Sequence, residues 1–304
     1  MTRDEAVQRL RDAGVDNPRL DARLLWEFAN PPLEGGSKFA QQISGRGLAP
    51  AADPSPKMPS AFSTLPQGEG QATAILETLI ARRAAREPLA YITGHREFWS
   101  LDFAVGPGVL IPRPDTETLI EQLIRRRPDR ATPLSLLDLG TGSGCLLVAA
   151  LTEYPAAHGV GIDTSPDALA WATRNIAAHG LESRASLIET AWPQEASPGF
   201  DVILANPPYI PSADIETLEP EVSRYEPRAA LDGGPDGLDA YRALAPRITR
   251  LLRPSGLAFL EFGAGQGEAV VAILASTGLE IAEIVPDLAG IPRCAVVKPS
   301  GPPI

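Results

Sequence analysis

The chain has 304 residues, of which 44% are hydrophobic and 21% charged, a composition typical of a globular protein with one large domain or two modest ones. Its formal net charge of −11 disfavours an extended nucleic-acid-binding surface, because such surfaces are usually basic. The cysteines Cys145 and Cys294 lack metal-ligand and redox spacing, and the three histidines are scattered, so no metal site is predicted. The polar start and the absence of a long apolar run predict a cytoplasmic protein without a membrane segment.

The first 87 residues predict a small amino-terminal helical bundle. Two short helices are expected within residues 2–29 and a third within 71–87. In the second helix the predicted apolar stripe comprises Leu20, Leu24, Leu25 and Phe28. Between about residues 30 and 70, helical and strand periodicities are lost in a segment rich in proline, glycine and serine, which we interpret as a flexible insertion.

Residues 88–114 predict a connector between two domains. The stretch 97–105 has the pattern of a hairpin, and Gly106-Pro107-Gly108 that of a turn. A helix is then predicted to about Arg127, because Pro114 suits the first helical turn and acidic residues suit the positive end of the helix dipole.

From residue 134 onwards, strand patterns alternate with helix patterns. Helices are predicted at 145–153, 166–178 and 267–276, and strands at 134–139, 159–162, 185–188, 200–205 and 257–262, with a closing antiparallel pair at 280–285 and 294–298. This alternation predicts an α/β domain over residues 115–304 with a doubly wound, mostly parallel seven-stranded sheet and right-handed crossovers.

A glycine-rich loop, Gly140-Thr141-Gly142-Ser143-Gly144, follows the first strand of this sheet. Glycines at alternate positions let the backbone approach a ligand and the next helix closely. Asp163 ends the next strand, where dinucleotide-binding folds place a carboxylate that binds ribose hydroxyls. The loop lacks the lysine of a phosphate-cradling nucleotidase. Taken alone, it fits NAD, another nucleotide, or close packing without a ligand.

A second motif, Asn206-Pro207-Pro208-Tyr209, follows the strand predicted at 200–205. The two prolines lack N–H donors, so the chain must leave the sheet at Asn206, at the edge where open α/β sheets bind ligands. The side-chain oxygen of Asn206 and the carbonyl of Pro207 can accept the two hydrogens of a planar NH₂ group, while Tyr209 stacks on it. The motif therefore indicates a site for such a group, with an ordinary Pro-Pro turn as the alternative.

Together these motifs resemble those of a known family. The stretch Asp138–Gly144 with Asp163 resembles the S-adenosylmethionine site of class I methyltransferases, and Asn-Pro-Pro-Tyr resembles those that methylate planar NH₂ nitrogens. Residues 87–99 and 110–117 resemble the PrmC/HemK family, the glutamine methyltransferases that act on the Gly-Gly-Gln loop of peptide chain release factors. The resemblance covers nearly the whole chain, Rossmann-like fold included, and departs from the family pattern in the insertion at about 30–70.

The resemblance implies S-adenosyl-L-methionine as the cofactor, release factors as the protein partner, and a substrate-recognition role for residues 1–87; we expect a monomer. The implied cofactor-binding residues are Gly140, Thr141, Gly142, Ser143, Gly144, Asp163, Trp192 and Asn206. For Trp192 only the family position favours this role, since the sequence alone fits a core aromatic residue equally well. The implied catalytic residues are Asn206, Pro207 and Tyr209, and with Pro208 they also bind the substrate. Arg113, Asp115 and Thr116 are expected at the pocket entrance, with helix capping as the alternative role for Asp115. Because an amide attacks a positively charged sulfonium as a neutral nucleophile, no strong base is expected beside Asn206.

Two other functions compete with this interpretation. An adenine amino methyltransferase acting on DNA or RNA would share the loop and the turn, but it needs base flipping and a phosphate-binding surface, which the acidic composition disfavours. We therefore expect no direct contact with nucleic acid. A catalytically silent, cofactor-sensing protein is disfavoured by the intact Asn206 and Tyr209.

Overall fold

The computed structural model describes residues 1–30, 69–190 and 199–301. The predicted insertion at about 30–70 lies almost wholly outside these residues. The chain divides into two compact units. The first is Met1–Gly94 together with Pro220–Tyr225, and the second is His95–Glu219 together with Glu226–Ile304. The inclusion of Pro220–Tyr225 in the first unit is not visible in the sequence pattern.

The first unit is helical, as the sequence predicts. Its helices are α1 (Arg3–Asp12), α2 (Pro18–Ala29), α3 (Glu69–Ala84), α4 (Leu89–Thr93) and α8 (Pro220–Tyr225). The start of α1 is fixed by a capping box in which Thr2 and Glu5 each bind the other's backbone N–H. The core of the unit consists of apolar residues of α1, α2 and α3, among them Ala6, Leu10, Ala22, Leu25, Leu76, Leu79 and Ile80.

The buried face of α2 differs from the predicted stripe at one residue. Leu20 is 44% exposed, whereas its neighbour Asp21 is buried. Asp21 accepts a hydrogen bond from Nε of Arg83 at 2.7 Å, and Arg83 also donates to Glu221 of α8 at 2.8 Å. This buried ion network turns Asp21 inward and Leu20 outward, which a hydrophobic pattern alone does not show.

The second unit begins with a hairpin of β1 (His95–Phe98) and β2 (Leu101–Ala104). Its two-residue turn, Trp99-Ser100, has φ of 55° and 59°, the conformation that suits the twist of a tight hairpin. Such values are uncommon for residues with a side chain. Here the backbone N–H groups of the turn donate to the carboxylates of Glu117 and Glu97. The predicted hairpin is therefore confirmed, with a turn that side chains stabilise.

The seven-stranded sheet of the second unit has the order β5-β4-β3-β6-β7-β9-β8. Its strands are β3 (Ser135–Leu139), β4 (His158–Asp163), β5 (Ala185–Glu189), β6 (Phe200–Ala205), β7 (Leu252–Glu261), β8 (Leu279–Pro286) and β9 (Pro292–Pro299). The first five pair in parallel, and β9 pairs antiparallel with both β7 and β8. The predicted mostly parallel sheet is therefore confirmed.

Helices cover both faces of this sheet. They are α5 (Glu117–Arg126), α6 (Cys145–Glu153), α7 (Pro166–Ala178), α9 (Asp239–Leu251) and α10 (Gly267–Ala275). The sequence pattern missed α9, which contains Pro246, and the first half of β7. The helix forms although proline disfavours a helix interior. The stabilisation comes from burial of one face of α9 against the sheet, through Tyr241, Leu244, Ala245 and Ile248. Among the helices that the structure describes, none is long and apolar enough to cross a membrane.

The strand register brings four segments to one edge of the sheet. Leu139 of β3 pairs with Ile162 of β4 and with Ala205 of β6, and Ala205 pairs with Leu260 of β7. The next residue of each segment therefore lies in one row across the sheet, in the order Asp163, Gly140, Asn206, Glu261. Since neighbouring strands are spaced by roughly 4.8 Å, the row is roughly 14 Å long.

One buried side chain ties the hairpin to the glycine loop. Asn175 of α7 is fully buried and accepts a hydrogen bond from the Ala104 N–H at 2.7 Å. Its amide group donates to the carbonyls of Ala104 and Ser143 at 3.0 and 2.8 Å. A single carboxamide thus satisfies three backbone groups from two distant segments.

We expect Asn175→Ala to lower the free energy of unfolding by about 2–4 kcal/mol, because buried backbone groups lose their partners. Urea denaturation measures this loss. Thr173→Ala is the matched control, because Thr173 is exposed on the same helix and, among the described residues, its hydroxyl bonds only the carbonyl of Leu169. Equal stabilities of the two variants would contradict the bridging role of Asn175.

Candidate active site

The glycine-rich loop folds tightly around the end of β4. The N–H groups of Gly140 and Thr141 both donate to the carbonyl of Ile162 at 2.9 Å. The Gly142 N–H donates to Oδ2 of Asp163 at 2.9 Å. Gly140 and Gly142 have φ of 74° and 56°, which favour glycine, so the loop can take this path only with glycine at these positions at low cost.

The loop is open on one side and closed on the other. A β-carbon built on Gly140 would meet no atom within 4 Å, whereas one on Gly144 would lie 3.3 Å from the β-carbon of Ala172 in α7. Gly144 therefore allows the helix to pack, and Gly140 borders free space. This combination suits a ligand that lies against the backbone at Gly140.

A buried carboxylate, Asp138, lies in β3 just before the loop. Its Oδ2 accepts a hydrogen bond from Thr141 at 2.6 Å, and its Oδ1 has no hydrogen-bond partner among the described residues. The pKa of Asp138 is raised to about 7, mainly by burial and in smaller part by the charge of Asp163, while the Thr141 hydroxyl opposes the shift. An orphan acceptor beside an open glycine loop fits a ligand that brings positive charge or an N–H donor.

The Asn-Pro-Pro-Tyr turn leaves the sheet at Asn206, as predicted. Nδ2 of Asn206 donates to Oγ1 of Thr116 at 3.0 Å. Among the described residues, the Asn206 side chain makes no other hydrogen bond. Its Oδ1 is therefore available as an acceptor. The hydroxyl of Tyr209 donates to Oε1 of Glu261 at 3.3 Å. The two polar side chains of the turn, Asn206 and Tyr209, are thus fixed by residues outside the motif.

The main chain of the turn is held from a second direction. Nε2 of Gln266 donates to the Tyr209 carbonyl at 2.8 Å, and Oε1 of Gln266 accepts from the Gly263 N–H at 2.9 Å. Gly237 has a φ of 76°, and a β-carbon there would lie 2.3 Å from the Tyr209 carbonyl oxygen. The chain around Gly237 therefore packs directly against the turn and restricts its movement.

The acidic residue Glu261 ends β7 beside Asn206 and is 1% exposed. Burial raises the pKa of Glu261 to about 7, while the hydroxyls of Thr116 and Tyr209 and the charge of Arg293 lower it. Its Oε2 has no hydrogen-bond partner among the described residues. A second carboxylate whose pKa is raised by burial therefore lies at this edge of the sheet.

The structure brings most of the predicted site residues together. The residues of the glycine loop, Asp163 and the turn at Asn206 lie along the edge described above, and Thr116 contacts Asn206. Arg113 instead forms an ion pair with the buried Glu226 at 2.5 Å, and Asp115 lies 4.0 Å from Arg293. Trp192 lies outside the described residues, so its assignment to the cofactor site stays a prediction.

Sequence reasoning missed Glu261 and Gln266. The only sequence feature that points to them is a polar residue at the end of a strand, in the run Leu-Glu-Phe-Gly-Ala-Gly-Gln at 260–266. In the described ranges, no group of three or more acidic, histidine or cysteine side chains is arranged to hold a metal ion.

The sheet order, the glycine loop after β3 and the polar turn after β6 define a class I methyltransferase fold. Residues 114–218 match the family model described as the methyltransferase small domain. The chain is 45% identical over 295 residues to the release factor glutamine methyltransferase of Rhodospirillum rubrum, covering 97% of this chain and 83% of that one. It is 42% identical over 284 residues to the protein of the same name from Caulobacter vibrioides, covering 93% and 90% of the two chains.

A solved structure named protein-(glutamine-N5) methyltransferase (release factor-specific), from Alicyclobacillus acidocaldarius, is 29% identical, with a TM-score of 0.39. The match covers 66% of this chain and 100% of that one. On the identity and coverage of the relatives, the chain belongs to the release factor glutamine methyltransferase family.

The raised pKa of Glu261 predicts how stability depends on pH. Because the pKa of Glu261 is about 7 in the folded protein, well above the ordinary value of about 4.5 for a glutamate side chain, folding favours the neutral carboxyl group. This contribution is complete below pH 4.5 and is lost as the pH rises through about 7. The loss amounts to roughly 3 kcal/mol by pH 8.

We expect Glu261→Gln, which stays neutral, to lose less stability than the wild type between pH 5 and pH 8. Urea denaturation at both pH values measures the difference. Glu280→Gln is the control, because Glu280 is exposed in a surface ion pair with Lys298 and should change the pH dependence by at most ~0.5 kcal/mol. An unchanged pH dependence in Glu261→Gln would show that this carboxyl group titrates normally.

Proposed function

We propose that this chain transfers a methyl group to the side-chain amide nitrogen of the glutamine in the Gly-Gly-Gln motif of peptide chain release factors. The names of its relatives support this substrate. The observation that carries the proposal is the hydrogen bonding of the Asn206 side chain. Its Nδ2 donates to Thr116, which leaves Oδ1 as an acceptor at the edge of the sheet. That arrangement suits an NH₂ group and not a carboxylate.

The cofactor is S-adenosyl-L-methionine, which when bound supplies a methyl group on a positively charged sulfur. We assign the loop from Gly140 to Gly144 to its methionine and adenosine parts, because the free space at Gly140 and the orphan oxygen of Asp138 fit a cationic ligand. Asp163 would bind the ribose hydroxyls, and Trp192 the adenine. Asn206 would contact both cofactor and substrate, since Gly140 and Asn206 are adjacent in the row.

The residues of the turn would prepare the amide nitrogen as a nucleophile. Oδ1 of Asn206 and the Pro207 carbonyl accept its two hydrogens and thereby raise electron density on nitrogen, while Pro208 and Tyr209 hold the planar group. Orienting the nucleophile can contribute up to about 7–11 kcal/mol. The two acceptors would add about 3 kcal/mol, by analogy with oxyanion donors. A methylated amide loses its extra proton readily to water, so the site needs no strong base.

We assign recognition of the release factor to the helical amino-terminal part, predicted as residues 1–87. A substrate of the translation apparatus places the proposed reaction in the cytoplasm. The net charge of −11 is also consistent with a protein substrate rather than a phosphate-bearing one.

Mass spectrometry of a release factor incubated with this protein and S-adenosyl-L-methionine tests the proposal. We expect the mass of one methylene group to appear on the glutamine of the Gly-Gly-Gln motif. Parallel incubations with DNA and with RNA, before and after nuclease treatment, test the adenine methyltransferase alternative. Methyl transfer to nucleic acid alone would overturn the proposed substrate.

We expect Asn206→Ala to lower kcat by at least about 10²-fold, because one directed acceptor is lost in the transition state. Cofactor binding, measured by isothermal titration calorimetry, should weaken only moderately. Glu216→Ala is the matched control, because Glu216 lies in the same connecting segment with its side chain 80% exposed, and it should retain wild-type turnover. Near-normal turnover of Asn206→Ala would remove the mechanism.

A further inference from the structure

One loop and one side chain that the proposed function does not use pack behind the Asn-Pro-Pro-Tyr turn. The loop is Gly-Gly-Pro-Asp-Gly at 233–237, and the side chain is that of Gln266, the residue before α10. Both lie in the second compact unit, as the turn does. Their contacts with the turn are therefore contacts within one unit.

The prolines fix only part of the conformation of the turn. Their rings hold φ of Pro207 and Pro208 near −65°, but ψ of both residues and both backbone angles of Tyr209 remain adjustable. The peptide planes between Asn206 and Tyr209 can therefore rotate together unless both ends of the turn are held. Such a rotation would redirect the Pro207 carbonyl, which the proposed function uses as the second acceptor for the substrate NH₂ group.

Different groups hold the two ends of the turn. At the first end, Asn206 directly follows β6, and its Nδ2 donates to Thr116. At the other end, the Tyr209 carbonyl accepts a hydrogen bond of 2.8 Å from Nε2 of Gln266. Oε1 of Gln266 accepts from the Gly263 N–H at 2.9 Å. Because one partner of this amide is a carbonyl and the other an N–H, its orientation is fixed and its donor end points at the turn.

The loop at 233–237 closes the space behind the same end of the turn. The Gly233 N–H donates to the carbonyl of Ile210, the residue after the turn, at 2.8 Å. Gly237 has a φ of 76°, and a β-carbon there would lie within 2.5 Å of both the Tyr209 carbonyl oxygen and Nε2 of Gln266. Atoms that are not bonded do not pack this closely. A residue larger than glycine at 237 would therefore displace the carbonyl, the amide or both.

We propose that Gln266 is a positioning residue for methyl transfer, which holds the Tyr209 carbonyl against Gly237 and thereby aims the Pro207 carbonyl at the substrate amide. It acts through the main chain of the turn and not on the reacting atoms. The competing explanation is purely structural, with Gln266 only bracing the segment before α10 through its bond to Gly263. This inference rests on the proposed function, which supplies the substrate amide.

The variant Gln266→Glu separates these two explanations. Glutamate keeps an oxygen that can accept from the Gly263 N–H, and its charge is favourable at the start of α10, so folding should be retained. A carboxylate cannot donate to the Tyr209 carbonyl. With a release factor as substrate, we expect kcat to fall about 10²-fold, because a misplacement of roughly 1 Å costs that much. KM for S-adenosyl-L-methionine should change less than about threefold, because the lost interaction orients the nucleophile.

Gln266→Met is the companion variant, because methionine has a similar size but makes neither hydrogen bond. We expect kcat to fall at least as far as in Gln266→Glu, and urea denaturation should show an additional loss of stability. A purely structural role predicts a different pair of results, with wild-type kcat in Gln266→Glu and a reduced kcat only in Gln266→Met. That pair would overturn the proposal.

Gly237→Ala tests the packing behind the turn. The added methyl group would push on the Tyr209 carbonyl, so we expect kcat to fall about tenfold or more, again without a matching change in KM for the cofactor. Gly180→Ala is the matched control, because Gly180 also has a positive φ, 66°, but a β-carbon there would meet no atom within 4 Å. Both variants carry the backbone strain, and only Gly237→Ala carries the contact. Equal kcat in these two variants would overturn the proposal.

Urea denaturation of the full-length variants shows which of them fold. If Gly237→Ala fails to fold, the two Gln266 variants decide. Failure of the wild type to methylate the glutamine would overturn the proposed function and this inference with it. Wild-type kcat in Gln266→Glu, measured on a protein that does methylate glutamine, would overturn the inference alone.

Discussion

The register of four parallel strands is the constraint on which the site depends. Each of β4, β3, β6 and β7 ends within one residue of the same row, so Asp163, Gly140, Asn206 and Glu261 become neighbours although they are up to 121 positions apart in sequence. A slip of one residue in any pair would move its side chains to the opposite face of the sheet. The buried apolar residues on both faces prevent such a slip, since it would expose them. The cores thus specify the geometry of the site as well as the stability of the domain.

Two buried acidic residues near this edge make the ligand-free protein less stable when they ionise. Asp138 and Glu261 are almost fully buried, and burial raises the pKa of each to about 7. Ionising either one in the ligand-free protein is unfavourable, because the interior solvates charge poorly. A cationic cofactor that binds nearby would stabilise the ionised form of Asp138. That stabilisation would add to the affinity of the protein for the cofactor. An orphan carboxylate oxygen in a well-packed core is therefore better explained as a group awaiting a ligand than as a packing fault.

Sequence reasoning succeeded where the site is local in the chain. The glycine loop and Asn206-Pro207-Pro208-Tyr209 are continuous, and their backbone chemistry follows from glycine and proline themselves. Glu261 and Gln266 act more than fifty residues away, and their roles exist only because β7 pairs with β6. The apolar pattern predicts Leu20 in the core, because periodicity does not reveal that Arg83 draws the neighbouring Asp21 inward. The missed helix α9 contains Pro246, and a proline in a sequence favours the end of a helix. Burial of one face of α9 stabilises the helix despite this residue.

The arrangement around Asn206 shows how one turn is fixed by separate groups. Nδ2 of Asn206 donates to Thr116, and the Tyr209 hydroxyl donates to Glu261, so the two polar side chains of the turn are held by residues of other elements. Gln266 binds the Tyr209 carbonyl, and Gly237 packs against it. A site for a substrate NH₂ group needs the acceptor end of the carboxamide, and the bond from Nδ2 to Thr116 leaves that end open. Orientation of the side chain and position of the backbone are thereby controlled by separate groups, which allows each to be tested without disturbing the other.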